Sequence, residues 1–400
     1  MLKHLQTIIE EFECIPKRLL RIVSQYIMFL MLKHKKHELR TAARLFGVHE
    51  SNFSRLLSGQ RVRSISRNCL NRAIRRRLNK LKNKVEAFLI IDATFTKRSG
   101  KKVENRHKFR HGGPFVEGHQ FTNFILLIKD EVIPLASVPF YSKKYCKEVG
   151  IDYQSEIEMV TNWIEDLPSS NLLPKEIIEN LHFLLDTGYD AKCIQNAIDD
   201  IKAKFTVGIT CERNVNGLGV KEYFHRHRQI SWKTIRIRVG NGHEEKGERR
   251  FRVRSAGRSH LKGFGEVLVV CSEKKSRNAG KTSRKYIVTN NLKQSVRKTV
   301  QIYSKRWLIE TWHKEMKQNY GYGDCRGRKF SSVEAHINFA LCAHCLVGLQ
   351  DSRLPRKGTT IDQYCSSQSL QQAAKVINLF NGREKIKSLA AEGLAEVVNG

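Results

Sequence analysis

The sequence predicts an α/β fold: a mixed β-sheet flanked by helices, interrupted by a β-rich insertion, with an N-terminal helical region and C-terminal helices. Three observations predict it. Short apolar runs rich in β-branched and aromatic residues, at 87–95, 121–128, 132–140, 181–185 and 205–209, read as strands. Segments with apolar residues at helical spacing lie among them, at 157–164 and 191–204. From 211 to 290 the chain instead offers short strand-like stretches (232–239, 250–254, 266–270, 286–288) between Gly- and charge-rich turns.

The bulk numbers fit a globular protein of two or three domains, with 400 residues and 40% apolar composition. There are 72 Lys and Arg against 39 Asp and Glu, a net charge of +33. Such an excess points to a polyanionic partner, and nucleic acid fits best, because cations that neutralise phosphates supply most non-specific affinity. Charge alone leaves a merely solvated basic surface open. The apolar run 19–32 is broken by Arg21 and Gln25 and is too short to span a bilayer, so it reads as a packed helix with no membrane partner. Ten scattered cysteines without a secretory signal suit a reducing compartment. Cys342 and Cys345 form the one close pair and sit in an apolar helical run, which favours core packing over a zinc site.

Residues 1–84 read as a helical DNA-binding region. Within it, 37–57 is a short helix, a turn at Gly47 and a second helix, which resembles a helix-turn-helix. The second helix would present Ser51, Asn52, Ser54 and Arg55, types that reach base edges and phosphates in a major groove. Any amphipathic helical hairpin shows the same pattern, and the basic run 61–84 that follows is either a further DNA contact or a solvated helix face. From 85 to 210 the order is three strands, with a turn at Asp130 between the last two, then helix, strand, helix, strand. That is the order of a ribonuclease H-like core, which then lacks only its final helix. Residues 211–290 form the insertion. Residues 291–350 supply the remainder of the core, including a long helical pattern at 292–320 and another at 333–349. Residues 351–400 form the C-terminal region, with helices around 369–380 and 383–398.

The long helical pattern carries the chemistry. Tyr303, Arg306, Glu310 and Lys317 would project within an arc of roughly 60° at ~3.6 residues per turn. An ordinary i,i+4 ion pair accounts for Arg306 and Glu310 equally well on spacing alone. The spacing Y-x2-R-x3-E-x6-K, however, resembles the signature of bacterial insertion-sequence DDE transposases, whose ribonuclease H-like domain is interrupted by a β-rich insertion. The resemblance runs from about residue 85 to 349. It implies that Glu310 is the third acid of a catalytic triad, with the others on the first core strand and just after the fourth. Asp92, in FLIIDATF, and Asp186, in FLLDTGYD, stand at those positions. Asp190 is the nearby alternative to Asp186 and reads instead as an N-cap for the next helix.

The resemblance further implies two Mg2+ or Mn2+ ions held by Asp92, Asp186 and Glu310, since paired hard cations clamp the attacking and leaving oxygens of phosphoryl transfer. It implies that Arg306 and Lys317 hold the DNA backbone beside them and that Tyr303 contacts the DNA end, although a core tyrosine fits that position too. Trp232 is a weaker candidate for base stacking, with packing favoured. The partners would be double-stranded DNA, as terminal inverted repeats and as target, and a second copy of the chain in the DNA complex. The compartment would be the bacterial cytoplasm, at the nucleoid. The rival readings are a nuclease of the same fold that does not rejoin DNA and a non-catalytic DNA-binding regulator.

Overall fold

The computed structural model describes residues 1–81, 86–110, 115–129, 131–239, 247–275 and 282–369. Five helices come first: α1 (Leu2–Glu10), α2 (Lys17–Met31), α3 (Leu39–Phe46), α4 (Glu50–Ser58) and α5 (Val62–Asn79). The apolar run of the sequence is α2, buried continuously from Val23 to Met31. No helix among the described residues is long and apolar enough to cross a membrane. Gly47 ends α3 with φ of 61°, a left-handed cap that a side chain would strain. The His49 ring then accepts the Ser51 amide and starts α4, so two short helices joined by a turn occupy the expected place.

Next come β1 (Ala87–Lys97), β2 (His107–Arg110), β3 (Phe115–Ile128) and β4 (Glu131–Pro139). Both β1 and β4 pair antiparallel with β3, which is the expected meander; the short β2, also paired with β3, was not anticipated. The turn assigned to Asp130 lies outside the described residues. Helices α6 (Lys143–Val149), α7 (Glu156–Asp166) and α8 (Lys175–Ile178) lead to β5 (Leu181–Leu185), a single 3-10 turn (Thr187–Tyr189), α9 (Lys192–Asp200) and β6 (Lys204–Ile209). Strand β5 is parallel to β1, and β6 is parallel to β5. The order β4-β3-β1-β5-β6 makes a mixed sheet with the fully buried β5 beside β1, apolar but for His182, as strands covered on both faces require.

The insertion contains β7 (Asn214–Val215), β8 (Leu218–Gly219), α10 (Val220–Arg226), β9 (Lys233–Val239), β10 (Gly247–Leu261), β11 (Gly265–Lys275) and β12 (Thr282–Thr289). It does not form a sheet of its own. Strand β12 pairs antiparallel with β6, and the core sheet continues through β12, β11 and β10 to β7 and β8, with β9 alongside β10. The chain then forms α11 (Val296–Ser304), a 3-10 turn (Lys305–Trp307), α12 (Leu308–Asn319) and α13 (Phe330–Val347). The single long helix expected over 292–320 is therefore two helices with a tighter turn between them. Residues 361–369 are helical, and the C-terminal helices expected beyond them lie outside the described residues.

Every residue of α13 except Ser331 and Asn338 is buried, Cys342 and Cys345 included. A helix that is apolar on all sides needs cover on all sides. It finds this cover in α2, α4 and α5 on one hand and in β4 on the other. Ion pairs bolt the same interface: Arg63 to Glu334 at 2.7 Å and Arg77 to Glu131 at 2.8 Å. The N-terminal helices and the sheet consequently share one hydrophobic core.

Candidate active site

Two acids meet through strand register. Parallel pairing sets Ile91 of β1 opposite Leu185 of β5, so the next residues, Asp92 and Asp186, stand side by side. Five buried residues precede each acid and anchor it: Ala87 to Ile91 in β1, and all of β5 before Asp186. Strands lie ~4.8 Å apart, so the two carboxylates share one neighbourhood.

Glu310 arrives from α12. The Arg306 guanidinium lies between it and Asp186, with nitrogens 3.4 Å from Glu310 Oε1 and 3.7 Å from Asp186 Oδ2. Arg306 is buried. Burial opposes its charge, but Asp186, Tyr303, Asp92 and Glu310 outweigh that and raise its pKa. Asp92 shows the opposite balance. Its pKa is pushed up to about 6 by burial, against the pull of Arg306 and with Asp186 and Glu310 adding repulsion. The structure thus brings Asp92, Asp186, Arg306 and Glu310 into one electrostatic cluster.

Lys317, two turns along α12, donates from Nζ to the Phe95 carbonyl at 3.1 Å and ties the helix to β1, with its pKa lowered by burial. Tyr303 packs under the insertion, yet its hydroxyl end is close enough to Arg306 and Asp186 for both to shift its pKa. Its ring packs in a cluster with Ile237, Val253, Leu268, Val270, Ile287 and Val300, beneath the insertion. Burial pushes its pKa up to about 12, opposed by Arg306 and assisted by Asp186. Its hydroxyl has no hydrogen-bond partner among the described residues. It reaches over Gly208, where an added Cβ would lie 2.5 Å from the oxygen.

Several site residues escaped the sequence reading. His313 lies three residues after Glu310, and its Nδ1 is 4.0 Å from Asp92 Oδ2. Asn123, opposite Asp92 in the β1–β3 register, donates to His313 Nε2 at 3.0 Å. The Tyr322 hydroxyl donates to Asn123 Oδ1 at 3.0 Å and lies 2.6 Å from Ser137 Oγ, which must be the donor there. This buried chain assigns the His313 proton to Nδ1, facing Asp92. Burial, with Lys317, lowers the His313 pKa to about 3 and keeps the ring neutral. On the other side of the cluster, Glu156 accepts from Tyr189 at 2.7 Å, Thr122 at 2.9 Å and Gln120 at 2.6 Å. It fixes the turn that follows Asp186 against β3. The spacing of His313 from Glu310 was the one available sequence signal; Asn123, Tyr322 and Glu156 are scattered and had none.

Asp190 is not an N-cap. Helix α9 begins after Ala191, and Asp190 instead accepts from Gln195 at 2.8 Å and lies 3.4 Å from Arg213. Its side chain is buried, so an ionic partner meets a larger need than a helix cap would. In α4, Asn52, Ser54 and Arg55 are exposed and Ser51 is half-buried, while Phe53, Leu56 and Leu57 are buried. Trp232 packs against Arg254, Arg252 and Arg284, its ring centroid 4.6, 5.1 and 5.8 Å from their guanidinium carbons.

Three carboxylates against one guanidinium leave the cluster short of positive charge, and oxygen ligands suit hard divalent cations. The donor set therefore fits Mg2+ or Mn2+ in kind. As arranged here, no group of three His, Cys, Asp or Glu side chains among the described residues is close enough to hold an ion, and Arg306 supplies the cation between Asp186 and Glu310.

Residues 154–346 match the family model of the transposase DDE domain. The matched transposase segment is just under half of the chain. It contains Asp186, Tyr303, Arg306, Glu310, His313 and Lys317, together with the whole insertion, and begins after Asp92. No curated protein matches the chain. A mixed sheet flanked by helices is consistent with the fold of a DDE transposase.

Proposed function

We propose that the chain is a cut-and-paste transposase of the bacterial insertion-sequence type, built on a ribonuclease H-like core. It would cleave the ends of a mobile element and join the freed 3′ hydroxyls to target DNA. The observation that carries this reading is the convergence of Asp92, Asp186 and Glu310 around Arg306. The transposase match over 154–346 supports it, as does the net charge of +33.

Asp92, Asp186 and Glu310 would hold two divalent ions, which when bound activate the attacking oxygen and stabilise the leaving one. The chain's own residues do the remaining work. Arg306 neutralises Asp186 and Glu310 before substrate arrives and offers a planar fork to a DNA phosphate. His313 presents its Nδ1 hydrogen towards Asp92 and restricts that carboxylate's orientation. Lys317 fastens α12 to β1 and adds positive charge for the backbone. Tyr303, buried beneath the insertion, packs and positions the turn carrying Arg306, so DNA contact through its ring would require the insertion to shift. Asn52, Ser54 and Arg55 of α4, with Ser51 at its start, would read the terminal repeats. Coordinated cutting of two ends calls for two copies of the chain on DNA, in the bacterial cytoplasm at the nucleoid.

The test is Asp92→Ala, assayed for DNA binding, end cleavage and joining of pre-cut ends. Retained binding with cleavage and joining both lost is the expected result. Cleavage unaffected by the substitution would refute the catalytic assignment and favour a regulator. Wild-type protein that cuts ends but never joins pre-cut ends would instead be a nuclease.

A further inference from the structure

Strand register divides the insertion into two faces. Val253 of β10, Val270 of β11 and Ile287 of β12 pack with Val300 and Tyr303 beneath α11. Side chains alternate along a strand and paired residues share a face, so their neighbours point to the other side of the sheet. That far face carries Arg236 of β9, Arg250, Arg252 and Arg254 of β10, and Arg284 of β12.

Such a face is unfavourable on its own. Arg236 stands directly opposite Arg250 in the antiparallel pair, and like charges at that position destabilise a sheet. Only two carboxylates of the described residues share the face, Glu248 and Glu273. Glu273 is buried and committed to Arg252 at 3.4 Å and Arg284 at 2.9 Å. Arg236, Arg250 and Arg254 pair with no carboxylate among the described residues, and Arg236 and Arg250 are exposed. The guanidiniums are nevertheless held in order. Trp232 lies against those of Arg252, Arg254 and Arg284, and Phe224 lies 4.8 Å from that of Arg254. Arg252 and Arg284 remain about half exposed despite these contacts, at 47% and 50%. A cleft of about 460 Å3 beside Trp232 adds Lys221, Arg228 and one carboxylate, Glu222, which is paired with Arg226.

Pre-ordered forks with exposed heads lose little freedom on binding and suit phosphate oxygens. Their spread selects the ligand. Same-face positions along a strand are roughly 7 Å apart, and four strands span roughly 14 Å, so a single phosphate would satisfy two or three guanidiniums and leave the rest repelling. An extended polyanion engages the whole row.

We infer that this arginine face is a second DNA-backbone site, which binds the phosphates of duplex DNA in a stretch other than the one that reaches Asp92. The inference rests on the DNA-handling reading above but not on its catalysis. The sheet itself separates this face from α11 and the turn bearing Arg306, so one straight duplex does not serve both.

The experiment is fluorescence anisotropy of full-length protein with a labelled random-sequence duplex, from about 50 to 200 mM KCl. Each phosphate contact contributes a slope of about −0.9 in log affinity against log salt. Arg236→Gln with Arg250→Gln should therefore flatten the slope by about 2, so that wild-type protein loses about tenfold more affinity across the range than the variant. Arg236→Lys with Arg250→Lys should keep the wild-type slope. Lys17→Gln with Arg18→Gln, exposed cations of α2 outside this face, is the control for bulk charge. A slope for the Arg236 and Arg250 glutamine variant equal to wild type, or lowered no more than in that control, overturns the inference. Thermal melts confirm folding, which exposed side chains such as these should not disturb. If wild-type protein proves unable to cut DNA while the slope difference persists, the catalytic reading falls and the arginine face stands.

Discussion

Asp92 is the residue at which the site's electrostatics are most exposed to measurement. Its pKa of about 6 exceeds the ordinary 3.8. Well below pH 3.8 both folded and unfolded chains carry it neutral, and it costs nothing. As pH rises from about 4 to about 6 the unfolded chain ionises first, so the folded state loses up to ~3 kcal/mol of relative stability, a loss that persists above pH 6. Asp92→Asn stays neutral throughout. In metal-free protein it should be more stable than wild type by ~1–3 kcal/mol at pH 7.5 and equal to it well below pH 3.8. Urea melts in EDTA at the two pH values measure this, and a variant less stable at pH 7.5 would mean that Arg306 outweighs burial. Asn123 tests the relay behind Asp92. Asn123→Leu leaves both His313 Nε2 and the Tyr322 hydroxyl without their partner. It should cost ~2–4 kcal/mol in a denaturant melt. Imidazole nitrogen shifts should report His313 protonated on Nδ1 in the wild type and a mixture of tautomers in the variant.

Among the elements, the junction between α11 and α12 matters most. Through the 3-10 turn at Lys305–Trp307 the backbone stays right-handed helical, and Tyr303 packs under the insertion while Glu310 stands beside Arg306. Gly208 on β6 makes room for this arrangement. An added Cβ would lie 2.5 Å from the Tyr303 hydroxyl and 2.8 Å from Thr187 Oγ1, in the turn after Asp186. Gly208→Ala should therefore displace both segments, lower the melting free energy by ~1–3 kcal/mol and reduce end cleavage more than DNA binding. Restoration of the glycine variant's stability by Tyr303→Phe in the alanine background would identify the hydroxyl as the source of the clash. An unaltered double variant would point to Thr187.

At the scale of the whole molecule, α13 decides how the parts depend on each other. Helices α2, α4 and α5 cover it from one side, and Arg63, Arg77 and Tyr26 reach across to Glu334, Glu131 and His336. A chain beginning at residue 86 would expose that face of α13 and leave Glu334 and His336 without these partners. Its buried apolar side chains are each worth ~1.5–3 kcal/mol of burial. The truncated chain should aggregate or lack a cooperative melt in calorimetry, and a cooperative transition like that of the full chain would show that the part from residue 86 folds alone.

The strands and acids were legible in the sequence because each is a local pattern. An apolar run ending in a carboxylate marks β1 with Asp92 and β5 with Asp186, and the 3.6-residue period marks α12 with Glu310. The helices α3 and α4 with the turn between them were legible for the same reason, from Gly47 and the spacing of Phe53, Leu56 and Leu57. What could not be read there was anything set by pairing between distant segments. The insertion joins the core sheet because β12 finds β6, Asp190 leaves its cap position because Arg213 comes within reach, and Asn123, Tyr322 and Glu156 become part of the site only when β3 and α7 pack beside it. The arginines of β9 to β12 follow the same rule, being scattered charges along the chain and a single face only in the sheet. Local propensity is a property of neighbours in sequence, whereas burial, ion pairing and strand register are properties of neighbours in space, and these placed three separate acids around one guanidinium.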